Sequence, residues 1–325
     1  MIRSNLFDAV LKKPAERGSN RLLILSGYAS AAMAYRHFES IPESVRVELI
    51  IGMSPNEGIG RGDHLAFQKL AAKDFRGRFD CRYLVKPPSH HGKVYVWEKA
   101  RHPAEAFVGS ANYTQVAFFS NTTREEVVVP YNPAACMGLY NSLLANSIPC
   151  TDPNVERAVR VHDGRRRRPR GFYPEIGVPK PPTRKMIPVE LGECVTLPLL
   201  DRSGQASARA GLNWGQRPRR SGDEAYIPVP SAIARAGFFP PRGIHFTLAT
   251  DDGKVFDCVA AQQNDKAIET PQSNALLGKY FRQRMGLPLG VFVKRDHLLR
   301  YGRADVTICK IDDENYQLDF SPKRS

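Results

Sequence analysis

The chain has no apolar run long enough to span a bilayer. Its first twenty residues, Met1 to Asn20, are mixed and charged, without the apolar core of an export signal. A cytoplasmic location with no membrane partner is the expectation. None of the six cysteines (Cys81, Cys136, Cys150, Cys194, Cys258 and Cys309) forms a CxxC pair, and no Cys/His group has zinc spacing. They are expected to be reduced, mostly buried thiols. A GxxxxGK[ST] phosphate loop is missing, so any ATPase would be a separate protein. No carboxylate cluster suited to Mg²⁺ stands out, and neither a metal nor another cofactor is expected.

What the chain has in excess is positive charge. Lys and Arg number 47 against 33 Asp and Glu, a formal net charge of +14 over 325 residues. Such an excess points to a polyanionic partner, either nucleic acid or an anionic surface. The hydrophobic fraction of 42% lets each half bury its own core, and the length fits two domains.

The first half alternates β-rich runs with helix-like segments. Strands are expected at 22–25, 45–51, 81–85, 94–97, 106–108 and 127–129. Helices are expected at 31–38, from a cap at Asp63 through Lys73, and at 134–144. This alternation predicts an α/β sandwich. Arg165 to Arg168, Pro169, Arg170 and then Pro174, Pro179, Pro181 and Pro182 read as an extended basic linker. Its arginines either stay solvated or hold a phosphate backbone. From about Lys185 short strands separated by turns predict a mostly β domain, an open barrel. The boundaries are 1–162, 163–184 for the linker, and 185–325.

The most informative stretch is His91-Gly92-Lys93, followed by Gly109-Ser110-Ala111-Asn112. An imidazole can attack phosphorus, while a lysine and an amide hold the non-bridging oxygens as charge builds there. HxK followed closely by GSxN resembles the phospholipase D superfamily motif. The resemblance implies catalytic roles for His91, Lys93, Ser110 and Asn112. Glu98 stands where the motif usually has Asp. A glutamate just before the next apolar strand orients the histidine in the bacterial nuclease branch; Glu125 fits, with Glu126 as the runner-up. His90 is the rival of His91, but only His91 has a lysine two residues on. His37, His64, His102, His162, His245 and His297 read as surface or core residues. Superfamily chemistry needs two histidines and the motif occurs once, which implies a homodimer with one shared site and no metal.

The second half carries Asn213, Trp214, Arg217, Arg219, Arg220, Glu224 and Tyr226, then Gln263, Asp265, Lys266, Asn274, Lys279 and Arg282. These segments resemble the B3-like domain of restriction endonucleases, a pseudobarrel whose arms wrap the major groove. Arginine pairs with guanine, Asn and Gln with adenine, and Asp and Glu with cytosine. The stretch Asn213–Arg220 reads either as a DNA arm or as a solvated loop, Trp214 more as a packing anchor, and Arg282 and Arg284 as phosphate contacts or solvated charges. Together the halves resemble restriction enzymes of the NgoFVII/NgoAVII type. That implies a site-specific, metal-independent endonuclease acting on double-stranded DNA, with a companion methyltransferase and, in some relatives, an ATPase or translocase subunit. The rival readings are a lipid phosphodiesterase or phosphatidyltransferase, and a DNA-binding protein that does not cut.

Overall fold

The computed structural model describes residues 1–119, 125–163 and 193–323. The expected linker at 163–184, with its arginine run, lies outside these residues except for Asp163. The first half contains β1 (Arg21–Ser26), β2 (Arg46–Ile51), β3 (Ile59–Gly60), β4 (Phe79–Leu84), β5 (Lys93–Lys99), β6 (His102–Gly109), β7 (Val128–Pro130), β8 (Ser147–Pro149) and β9 (Val161–His162). Seven of them form one sheet in the order β7-β6-β5-β1-β2-β4-β8. Strands β1, β2 and β4 run parallel, and β5, β6, β7 and β8 run antiparallel to their neighbours.

The unbroken apolar runs of β1 and β2 reflect burial on both faces. Leu22 and Ile24 join a core with Tyr95, Trp97 and the helix Ala31–Phe38, while Leu23 and Leu25 pack with Val94, Val96 and Tyr140 of the helix Pro133–Leu144. The result is the expected α/β sandwich. The expectation for Asp63 is corrected. Its helix, Arg61–Lys69, starts at Gly60. The Asp63 carboxylate instead accepts from the backbone N–H of Ala31 at 2.8 Å, at the start of the neighbouring helix. An uncapped first-turn donor there supplies the partner.

The second half contains β10 (Cys194–Pro198), β11 (Ile227–Pro228), β12 (His245–Thr250), β13 (Val255–Ala261), β14 (Ala267–Glu269), β15 (Asp305–Lys310) and β16 (Asn315–Asp319). They form one sheet in the order β10-β15-β16-β12-β13-β14-β11. The end strands β10 and β11 come back into contact, so the sheet nearly closes into a pseudobarrel. Phe246, Leu248, Phe256, Phe281 and Tyr316 fill it. The cysteine expectation is corrected for two residues. Cys194 and Cys309 stand opposite each other across β10 and β15 and form a disulfide. The other four are free and buried.

The halves pack closely against each other. On β12, Phe246 and Leu248 point into the barrel, while Ala249 packs on the core of the first half. Val255 of β13 belongs to that same core. The period of two along a strand gives β12 one face for each half.

Candidate active site

Strand pairing brings the two sequence motifs together. Lys93 opens β5, Gly109 closes β6, and the two are register partners. Gly109 in turn faces Val128 at the start of β7. A Cβ at Gly109 would lie 2.0 Å from the Val127 carbonyl, so only glycine permits this approach. Gly52, at the end of β2, is equally constrained: a Cβ there would lie 2.1 Å from the His90 carbonyl, and the Gly52 carbonyl accepts from His90 N–H at 2.9 Å.

His91 is exposed just before β5, at this end of the strands. Lys93 is buried, and its Nζ donates to the His91 carbonyl at 2.6 Å and lies 3.1 Å from both ring nitrogens. Burial pulls the Lys93 pKa below its ordinary value, against the opposing pull of Glu126. Asn112 Oδ1 accepts from Tyr28 N–H at 3.1 Å and from Ser26 Oγ at 3.4 Å. The amide is thereby oriented through its oxygen, and its NH₂ is the end suited to a phosphate oxygen. The Tyr28 ring meets His91 edge-on, with ring centres 5.7 Å apart. Its hydroxyl donates to Glu57. Ser26 and Tyr28 escape a motif search; their signal is the turn Gly27-Tyr28-Ala29 at the carboxyl end of a buried parallel strand, where ligand sites gather.

The structure places Glu126, rather than Glu125, beside the site. Ser110 Oγ donates to the Glu126 carboxylate and accepts from Val127 N–H at 3.0 Å. Glu125 pairs with Arg3 on the outside, both side chains being largely exposed. Glu98, near the far end of β5, is paired with Arg21 at 2.8 Å. His90 is half-buried, and burial together with the positive charges of Lys93 and His91 lowers its pKa. His37 is fully buried between Tyr113 and the Leu11 carbonyl, its pKa pushed down by burial to about 4.

A cleft of 1180 Å³ opens beside His91 and Asn112, and its opposite wall is the second half, including Asp251, Asp312 and Asp313. Among the described residues one group has metal-like composition: Glu39, His245 and Asp257, at the contact between the halves. Its geometry is that of a bridging imidazolium. His245 Nδ1 lies 2.9 Å from Asp257 and Nε2 lies 3.2 Å from Glu39, so the two carboxylates flank opposite edges of the ring. Burial would lower the pKa of His245, but hydrogen bonds to Asp257 and Glu39 raise it to about 9.

Of the residues expected to read DNA, Arg217, Arg219, Arg220, Gln263, Lys266 and Lys279 are exposed, and Glu224, Tyr226, Asp265 and Asn274 are half-buried. Two are removed from that set. Asn213 is 1% exposed, and its amide bonds Ser207 and Val293 of the backbone. Arg282 is fully buried and donates to the Val291, Gly278 and Leu212 carbonyls. Trp214 is buried as an anchor, with the Arg220 guanidinium 3.8 Å from its ring centre. Arg220 also pairs with Glu224. Glu224 and Tyr226 lead into β11, and Gln263, Asp265 and Lys266 lead into its partner β14. Val229 N–H donates to Lys266 at one end of this pair, and Ala225 N–H to Asn274 at the other.

Two family models match the chain. The NgoFVII restriction endonuclease N-terminal PLD domain covers residues 4–157, and the NgoFVII C-terminal B3-like DNA-binding domain covers 189–312. The chain belongs to the NgoFVII restriction endonuclease family. It is a phospholipase-D-family nuclease coupled to a B3-like DNA-binding domain, as the motifs implied. Similar solved structures include NucT from Helicobacter pylori, with 14% identity over 44% of this chain and 89% of that chain, at a TM-score of 0.30. Nuc, a phospholipase D family member from Salmonella typhimurium, has 18% identity over 43% of this chain and 88% of that one, at a TM-score of 0.31. No curated protein is similar enough to count as a match. Among the described residues no helix is long and apolar enough to cross a membrane.

Proposed function

We propose that the chain is a sequence-specific DNA endonuclease that works without a metal, through a phosphohistidine at a site shared by two copies. The nuclease domain spans 1–162, the reading domain 185–325, and the basic stretch 163–184 joins them. One observation carries this reading: an exposed His91 has a buried ammonium 3.1 Å from its ring and an oriented Asn112 at the same end of the sheet's strands, once per chain. A nitrogen of His91 forms a bond to phosphorus as the bond to the leaving sugar oxygen breaks. The His91 of a second copy gives that oxygen its proton. It then takes a proton from water, which attacks phosphorus and frees the first imidazole. Lys93 and Asn112 neutralise the charge that builds on the non-bridging oxygens, and their own charge and amide supply what a metal would otherwise bring. Glu126 acts through Ser110 on the loop that carries Asn112.

In the reading domain, the exposed Arg217, Arg219, Arg220, Gln263, Lys266 and Lys279 are groups for base edges and phosphates. A methyltransferase of matching specificity is the companion such an enzyme needs. The test is digestion of a plasmid of known sequence in EDTA, with fragment ends sequenced, followed by trapping of end-labelled DNA on the protein. Discrete cuts and acid-labile, alkali-stable label on His91 are expected. Cutting only after Mg²⁺ is restored, or label on another residue, overturns the mechanism. Hydrolysis of phospholipid vesicles in place of duplex DNA overturns the substrate.

A further inference from the structure

The turn between β15 and β16, Asp312–Asn315, projects from the reading half onto two loops of the nuclease half. Glu314 is 5% exposed. One of its carboxylate oxygens accepts from Ser30 Oγ and from Gln115 Nε2, the latter at 3.2 Å, and the other accepts from Val116 N–H at 3.2 Å. Ser30 ends the loop whose Tyr28 N–H fixes Asn112, and Gln115 follows Asn112 by three residues. The loops also bind each other, Ser30 N–H donating to the Tyr113 carbonyl at 3.1 Å. Gln115 is held besides by His245: its Nε2 donates to the His245 carbonyl at 2.7 Å, and its Oε1 accepts from His245 N–H at 3.1 Å.

We infer that Glu314 is a positioning residue for catalysis, a clamp from the reading domain that holds the two loops presenting Asn112. The inference rests on the proposed role of Asn112 at the phosphate. Three features support it. The turn is rigid, because Asp312 accepts from the backbone N–H groups of Glu314 and Asn315, each at 2.9 Å. It grips the first loop twice, since Asn315 Nδ2 donates to Asp63 at 2.9 Å and Asp63 accepts from Ala31 N–H. A buried carboxylate is costly unless its lone pairs are filled, and the donors come from both loops that hold the amide. Only a carboxylate fits. A glutamine at 314 would turn its NH₂ toward either Val116 N–H or Gln115 NH₂, donor against donor.

The experiment is single-turnover cleavage by the full chain, with enzyme in excess, beside DNA affinity and thermal unfolding. Glu314→Ala is expected to slow cleavage by about 10- to 100-fold, the scale of a small misplacement of a catalytic group. Affinity for the recognised DNA should not change. Glu314→Gln should fall between the two, and Ser30→Ala should show a milder loss in the same direction. In an Asn112→Ala background, Glu314→Ala should slow the residual reaction no further. Wild-type rates for Glu314→Gln and Ser30→Ala overturn the inference, and these two variants decide it if Glu314→Ala does not fold. A loss in affinity with rate unchanged, or an equal loss in the Asn112→Ala background, also overturns it. A separate arm isolates the underlying reading. If His91→Ala still cuts, the proposed mechanism fails; if His91→Ala is dead and the Glu314 variants are fully active, only the clamp fails.

Discussion

His91 and His245 are two histidines in opposite settings. His91 is exposed, and its nearest charged neighbour is the Lys93 ammonium at 3.1 Å. His245 is buried and lies between two carboxylates. Anions on both edges of the ring make His245 a cation with both nitrogens engaged, a structural bridge between the halves. His91 has the Lys93 cation beside it instead, and its solvent-facing ring stays open to a substrate. The same side chain thus serves as joint or as reagent according to the sign of its neighbours and its depth.

The largest test of this contrast is the removal of each ring. His91→Ala should lower cleavage by more than about 10⁴-fold while leaving specific DNA binding intact. In mixed dimers with wild type, activity should follow the square of the wild-type fraction. A straight line would mean that each copy cuts alone. Lys93→Ala and Asn112→Ala should each cost about 10²- to 10³-fold in the chemical step. Equal losses in DNA affinity would place them outside the reaction.

A sharper cut separates two adjacent glutamates. Glu126→Ala should slow cleavage measurably through Ser110, whereas Glu125→Ala, which frees an exposed pair with Arg3, should leave the rate near wild type. The reverse ranking would restore Glu125 to the site. That pair also marks a limit of sequence reading. Glu125 and Glu126 are adjacent in sequence, yet one pairs with Arg3 on the outside and the other meets Ser110, a difference that residue type alone does not reveal. The HxK and GSxN motifs were legible because their spacing matches two strands and the connection between them. The helix at 31–38 and most strands were legible from apolar runs bounded by polar turns. Asn213 and Arg282 were misread because residue type says nothing of depth. A buried amide bonded to backbone and a solvent-facing one look alike in sequence. Cys194 and Cys309 lie 115 residues apart and become neighbours only through the pairing of β10 with β15.

The alkaline limb of stability probes the other histidine. The His245 pKa is raised in the fold from its ordinary 6.5 to about 9, so its stabilisation is complete below the lower value and is lost as pH rises through the upper one. Asp63 acts in the same direction. Burial and the charge of Asp312 raise its pKa to about 8, so its protonated form is favoured and stability falls as pH climbs from the ordinary carboxylate range. Buried His37, lowered to about 4, works oppositely, losing stability as pH falls below its unfolded value. The unfolding temperature should therefore drop between about pH 6.5 and 9, and His245→Gln should flatten that drop. An unchanged slope in the variant would show that His245 is not the group titrating. The smallest effects belong to the reading surface. Arg217→Ala or Arg219→Ala should cost about 1–3 kcal/mol at one base position if the guanidinium reads a base, and weaken all sequences alike if it holds a phosphate. Asn213→Ala should instead lower the unfolding temperature, because it strips buried backbone groups of partners.

The packing of β12 and β13 on the first half also bears on how the protein is made. Chains leave the ribosome from the amino end, so the helices Ala31–Phe38 and Arg61–Lys69 emerge long before the strands that cover them. Until Ala249 and Val255 arrive, the growing nuclease half carries a sticky apolar face that invites chaperones or self-association. Shortened transcripts that stop before β12 should therefore yield aggregates, and expression yield should depend on completing the strands that hide this face.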